Sequence, residues 1–168
     1  WGYWHDKCAK AAVKIINEGG GIAGRKVKLA IEDTESNPAA GSRKLRSLIE
    51  RRKASFVVGS VHSGIMLASI PIATELKTPY FSAGEATEAT GSKGSRYSFR
   101  TGTDTYALAA AGAPWAFKNL GKTWTMIFPD YAWGHSHHQE HKKLIESLGG
   151  KVNDPIAVPL GTKDLVPY

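Results

Sequence analysis

Helical and strand-like patterns alternate along almost the whole chain, and this order limits what it can fold into more than any single motif does. Ala9, Ala12, Val13 and Ile16 form one stripe over residues 4–18, the spacing of a helix. Gly19, Gly20 and Gly21 stop it. Residues 25–33 alternate polar and apolar, as a half-buried strand does. Asn37-Pro38 opens a second helix running to about Lys53, because proline suits the first helical turn. The apolar run 54–59 reads as a buried parallel strand. An apolar helix over 64–76 containing Pro71, a strand over 78–82 and an extended segment over 97–101 follow. The pattern then restarts with a helix over 104–119, a strand over 123–128, a helix over 134–148 and a strand over 151–158. Such alternation predicts βαβ units: an α/β fold whose parallel sheet is flanked by helices on both faces.

Composition removes several classes. With 42% apolar and 22% charged residues, the chain is neither disordered nor fibrous. It has no apolar run of the roughly 18 residues that a membrane span needs. The start, Trp1-Gly2-Tyr3-Trp4, lacks the basic and apolar regions of a signal peptide. The single cysteine, Cys8, offers neither an internal disulfide nor a multi-cysteine metal site, and its helical flanks suggest a packed residue. The net charge of +7 comes largely from Arg43, Lys44, Arg46, Arg51, Arg52 and Lys53. These alternate with Leu45, Leu48 and Ile49 at helical spacing, so they read as the wet side of an amphipathic helix. No nucleic-acid-binding motif accompanies them.

The motifs that would signal catalysis are missing or misplaced. Residues 19–24 spell G-x-G-x-x-G, but the string follows a helix and opens a strand, the reverse of a dinucleotide loop. There is no G-x-S-x-G elbow and no Walker pattern. His135, His137, His138 and His141 cluster without the His-Glu-x-x-His order, which favours a solvated helix start over a metal site. No catalytic residue, metal or cofactor is implied.

Binding chemistry concentrates after the strands, where open α/β sheets hold their ligands. Ser60-Val61-His62-Ser63 follows the 54–59 strand, and Ser63 falls at the N-cap of the next helix. There it can serve as a cap alone, or its hydroxyl and the free N–H groups can hold a carboxylate. Ala83-Gly84-Glu85-Ala86-Thr87 is a small, polar loop that lets backbone approach a ligand closely. Pro129-Asp130-Tyr131-Ala132-Trp133-Gly134 brings aromatic surface to a similar edge, with Trp133 either packed in a core or facing a ligand.

In this order the chain resembles the branched-chain amino-acid (leucine/isoleucine/valine) binding proteins of ABC transporters, with the type I periplasmic-binding fold. The resemblance is carried by Ile16–Arg25 and the strand Val27–Asp33, by Val58–Ser63, Pro79–Gly84 and Phe99–Thr101, and by Pro129–Gly134 and Gly161–Asp164. It covers nearly the whole chain. It implies two lobes around a ligand, with residues 1–103 as lobe one and 104–168 as the opening part of lobe two. It also implies a fragment: the first strand lies upstream of Trp1, and most of lobe two, with its acidic group for a ligand ammonium, lies beyond Tyr168. In this resemblance Ser63 matches the serine that holds the ligand carboxylate. Gly84, Ala86 and Thr87 fall in the loop that binds carboxylate and ammonium. Trp1 and Trp133 match aromatics of the two lobes that are often tyrosine, and tryptophan there, with His62 beside Ser63, points to a bulkier or aromatic ligand.

The function so implied is capture of an amino acid, an aromatic acid or another small carboxylate or amide. The partner would be the membrane permease of an ABC importer, with no nucleic acid, and the location periplasmic or otherwise extracytoplasmic. A ligand-sensing domain of a receptor or of an amide or amino-acid regulator with the same fold is the alternative.

Overall fold

A computed structural model describes residues 2–168; Trp1, and with it the expectation placed on it, lies outside the described residues. The first helix, α1 (Gly2–Glu18), ends where Gly20 and Gly21 take positive φ of 101° and 87°. The Gly21 N–H closes onto the Ile16 carbonyl, and Ile22 and Arg25 then pair across a tight turn. The glycine string is therefore a helix stop.

The expected strand over 25–33 does not form, and the segment pairs with no strand among the described residues. Strand structure needs a neighbour to take its N–H and C=O groups, and no described strand lies alongside. The segment is held instead by Asn17, whose side chain bonds both the N–H and the carbonyl of Val27 (2.7 and 2.9 Å). Leu29 and Ile31 stay exposed, and α1 buries none of its side chains. Cys8 is exposed rather than packed, as α1 has no buried residue among those described.

From residue 37 onward the chain packs. Asn37 caps α2 (Pro38–Glu50) by accepting from the Ala40 N–H at 2.9 Å. Three parallel strands follow, β1 (Val57–Val58), β2 (Tyr80–Ser82) and β3 (Ser98–Arg100), in that order across the sheet. Between β1 and β2 runs α3 (Ser63–Glu75), whose Met66, Ile70 and Ala73 meet Leu45 of α2, Val57 and Tyr80 in one core. The basic face of α2 points outward. Arg46 pairs there with Glu50 and Glu75, and Lys44 with Glu32.

Asp104 caps α4 (Thr105–Asn119) through the Ala107 N–H at 2.7 Å. The expected strand over 123–128 forms two pieces, β4 (Thr123–Trp124) and β5 (Ile127–Pro129). The expected strand over 151–158 likewise forms β6 (Lys151–Val152) and β7 (Ile156–Val158). β4 pairs with β6 and β5 with β7, both parallel. Thr123 faces Lys151, but Ile127 faces Ile156, so the second strand carries one extra residue between the pieces. That bulge falls at Asn153-Asp154-Pro155, where proline has no N–H to continue the ladder. α5 (Ala132–Ser147) packs on α4 through small and buried positions, among them Ala109, Ala113 and Ile145. None of the strands after residue 104 joins the β1–β3 sheet.

Candidate functional site

The chain leaves β1 through two left-handed residues, Gly59 (φ 140°) and Ser60 (φ 68°), and enters α3 at once. The N-cap of α3 is His62, not Ser63 as the sequence suggested. The His62 Nδ1 accepts from the N–H groups of Gly64 (3.1 Å) and Ile65 (3.4 Å). Ser63 is the first helical residue, and its hydroxyl is drawn elsewhere. The Ser63 Oγ accepts the N–H groups of Glu85 (3.1 Å) and Ala86 (3.2 Å), and the side chain is fully buried.

The 83–88 loop is thus bound to the start of α3. Four consecutive N–H groups, those of residues 84–87, donate to side-chain hydroxyls. Gly84 donates to Ser82 Oγ at 3.2 Å, and Glu85 and Ala86 to Ser63. Thr87 donates to Ser136 Oγ (3.1 Å) and Thr105 Oγ1 (3.3 Å). A Cβ at Gly84 would stand 3.0 Å from the Met66 side chain and 3.3 Å from the Ser63 backbone, so a larger residue there would have to push its neighbours back by a few tenths of an ångström. A hydroxyl is a neutral acceptor. A carboxylate accepts such N–H groups about twice as strongly.

The start of α5 covers this loop. Trp133 Nε1 donates to Glu85 Oε2 at 2.6 Å. The Tyr131 ring lies 4.6 Å from His62 and stacks on Trp133 at 6.1 Å, and His137 meets Trp133 edge to face at 4.4 Å. Below them Ser136 Oγ, Thr105 Oγ1 and Thr87 Oγ1 form a chain of hydroxyls at 2.6 and 2.8 Å. The sequence-derived residues His62, Ser63, Gly84, Ala86, Thr87 and Trp133 therefore come together in one place. Sequence reasoning passed over Tyr131, Glu85, Thr105 and Ser136. Tyr131 and Glu85 sit inside segments already singled out, whereas Thr105 and Ser136 carry no local signal and meet only through the packing of α4 on α5.

Burial holds the imidazoles of His62, His137 and His138 below their ordinary pKa of 6.5. The charge of His141 adds to the effect on His137, and those of Lys142 and His135 to that on His138. The unfolded chain regains the ordinary value and takes up protons that the folded state refuses. This part of the stability is complete above that pH and is lost as pH falls through it. Protonation also takes away the Nδ1 lone pair with which His62 caps α3. The thermal midpoint is expected to be lower at pH about 5.5 than at about 7.5, and His62→Asn, which caps without titrating, should reduce the drop. A midpoint that does not move across this range would contradict the assignment.

Comparison with known proteins agrees with this geometry. The chain matches the family described as periplasmic binding protein over residues 5–168. A Leu/Ile/Val-binding protein homolog 1 of Brucella abortus is 28% identical over 160 residues, covering 94% of this chain and 43% of that protein. A periplasmic binding protein of Burkholderia mallei superposes with a TM-score of 0.88 at 26% identity, covering 94% of this chain and 43% of its own. A solute-binding protein of an ABC transporter from Rhodopseudomonas palustris, solved with 3,4-dihydroxybenzoic acid, gives a TM-score of 0.79 at 26% identity over the same shares. This chain thus spans less than half the length of these binding proteins. Parallel strands flanked by helices, a family match across nearly every residue and these superpositions place the chain, with a type I periplasmic-binding α/β fold, in the periplasmic binding protein family.

Proposed function

We propose that this chain supplies the ligand-gripping part of an extracytoplasmic solute-binding protein, which captures an amino acid or related small carboxylate and passes it to the membrane permease of an ABC importer. Residues 1–103 act as lobe one and residues 104–168 as the opening part of lobe two. The observation that carries the reading is the row of loop amides 84–87 at the carboxyl end of β2, covered by Tyr131 and Trp133 from the far unit. Donors for an anion stand on one side and aromatic surface on the other, the arrangement that grips a small amphipathic ligand. Ser63 and Ala86 are fully covered, so a solute reaches them only when the start of α5 swings away from the loop. The family match and the relatives that bind amino acids or an aromatic acid support the same class of ligand.

Thermal-shift screening of the protein at its full natural length against amino acids, aromatic acids and their amides tests this. A true ligand at about 100 times its Kd should add about 2.7 kcal/mol of apparent stability. Trp133→Ala should weaken the acid and its amide alike, by about tenfold, through lost apolar contact. If no small carboxylate shifts the midpoint, the proposal is wrong.

A further inference from the structure

The β1–β3 sheet has a second end, and solute capture makes no use of the charge gathered there. The three strands run parallel, so the residues that precede them share one edge while the ligand loops leave the other. Arg51, Arg52 and Lys53 precede β1, Lys77 precedes β2 and Arg96 precedes β3. All five are exposed, and none forms an ion pair among the described residues. The acids closing α2 and α3, Glu50 and Glu75, are both held by Arg46, at 3.0 and 2.6 Å, so neither answers these cations. Lys53 and Lys77 stand at positive φ, 56° and 50°, in the turns that leave the two helices. In those turns the Ala54 N–H reaches back to the Leu48 carbonyl and the Thr78 N–H to that of Ala73. Glycine closes such a turn without strain, whereas lysine is held there against its backbone preference. The helix dipole favours a cation at a helix end, but Arg96 follows a turn and the attraction does not reach it. By strand spacing the charged edge spans roughly 10 Å. It lies along a rim instead of converging in a pocket, which suits a flat anionic surface better than a small anion. The Phe56 ring, 45% exposed, sits on the same edge and offers the apolar contact that aromatic side chains make at headgroup level.

We propose that this edge is a docking surface for an anionic lipid bilayer, with Arg51, Arg52, Lys53, Lys77 and Arg96 against the headgroup phosphates and Phe56 among them. Each basic residue held at such a surface strengthens binding about fivefold, and the attraction fades within a Debye length. Because the edge lies opposite the 83–88 loop, a protein held this way keeps its ligand site turned from the membrane and open to solute. Docking of this kind goes beyond solute capture and stands or falls separately from it.

The test is co-sedimentation of the protein at its full natural length with vesicles of phosphatidylcholine alone and with vesicles in which a third of the lipid is phosphatidylglycerol. Binding to the anionic vesicles is expected to exceed that to the neutral ones by at least about tenfold at low salt, and to fall away at about 0.5 M salt. Two double variants, Arg51→Gln with Arg52→Gln and Lys53→Gly with Lys77→Gly, should each weaken it by about twentyfold. The glycine pair relieves the strained turns, so its thermal midpoint should match or exceed that of the natural protein, and lost binding cannot be put down to lost folding. Lys118→Gln with Lys163→Gln removes the same charge from exposed positions after residue 104 and should bind as the natural protein does. Equal binding to both kinds of vesicle overturns the proposal. So does an equal loss in the Lys118 and Lys163 pair, which would mean that net charge alone draws the protein to the lipid. Competition by inorganic phosphate at concentrations that leave the ionic strength unchanged would likewise overturn it, in favour of a small-anion site. None of these outcomes touches the capture function, which is read separately from solute binding.

Discussion

Ser63→Ala is expected to lower both the stability of the ligand-free protein and its affinity for a carboxylate. The fully buried Ser63 Oγ is the acceptor for two amides, the partly buried one of Glu85 and the buried one of Ala86. Alanine strands both, and a buried donor without a partner costs about 1–3 kcal/mol. The loop then loses its anchor to α3. A ligand must order it again, which should weaken acid and amide analogues together, by about tenfold or more. The hydroxyl hydrogen adds a part specific to the acid, since it donates to a carboxylate in a charge-assisted bond that an amide cannot match. Denaturant unfolding without ligand and calorimetry with an acid and its amide separate the two contributions. Unfolding that matches the natural protein would show that the loop amides find another acceptor, and Ser63 would lose its structural role.

Gly134→Ala is expected to be among the most destabilising single-methyl changes in the chain. Gly134 follows Trp133 in the first turn of α5, and an added Cβ would lie 2.2 Å from the Pro129 carbonyl oxygen and 2.7 Å from the Phe128 ring. The nearer atom is backbone, which cannot rotate away, so the helix start must lift off β5. Overpacking of this kind costs about 1–3 kcal/mol or more. The same displacement moves Trp133 away from Glu85, so ligand affinity should fall with stability. Gly112→Ala is the matched control: it sits on the exposed face of α4 with nothing within 4 Å of the new methyl group. It should raise stability by up to about 1 kcal/mol, the helix preference of alanine over glycine. Urea unfolding of the two variants side by side is the measurement, and equal midpoints would contradict the packing described around Gly134.

The helices were the most legible elements, since their apolar stripes and caps are written within a few residues. Asn37-Pro38 marks the start of α2 and Asp104 that of α4 without any reference to the rest of the chain. Strands were legible only as extended character. Residues 25–33 have the alternation of a strand yet stay unpaired, and 123–128 divides in two because its partner carries Asp154 and Pro155. Pairing is a property of two segments, and a pattern in one of them cannot report it. At the site, the sequence placed His62, Ser63 and the 84–87 loop at strand ends, but it put the helix cap one residue too late. Which of two adjacent side chains caps α3 depends on the Glu85 and Ala86 amides, more than twenty positions away, competing for the serine hydroxyl.

By itself, then, the sequence determined the α/β alternation, the helices to within a few residues and the glycine turn, all of them local consequences of backbone preference and side-chain spacing. It also determined which loops lie at the carboxyl ends of the strands, because chain direction in a parallel sheet follows from the alternation. Only the tertiary structure decided that the amides of residues 84–87 all end on hydroxyls, that Ser136 and Thr105 join that network, and that Trp133 holds Glu85. Those contacts join residues as much as 49 positions apart. They exist only because α5 packs back over the start of α3, a choice made by the whole core rather than by any neighbouring residues.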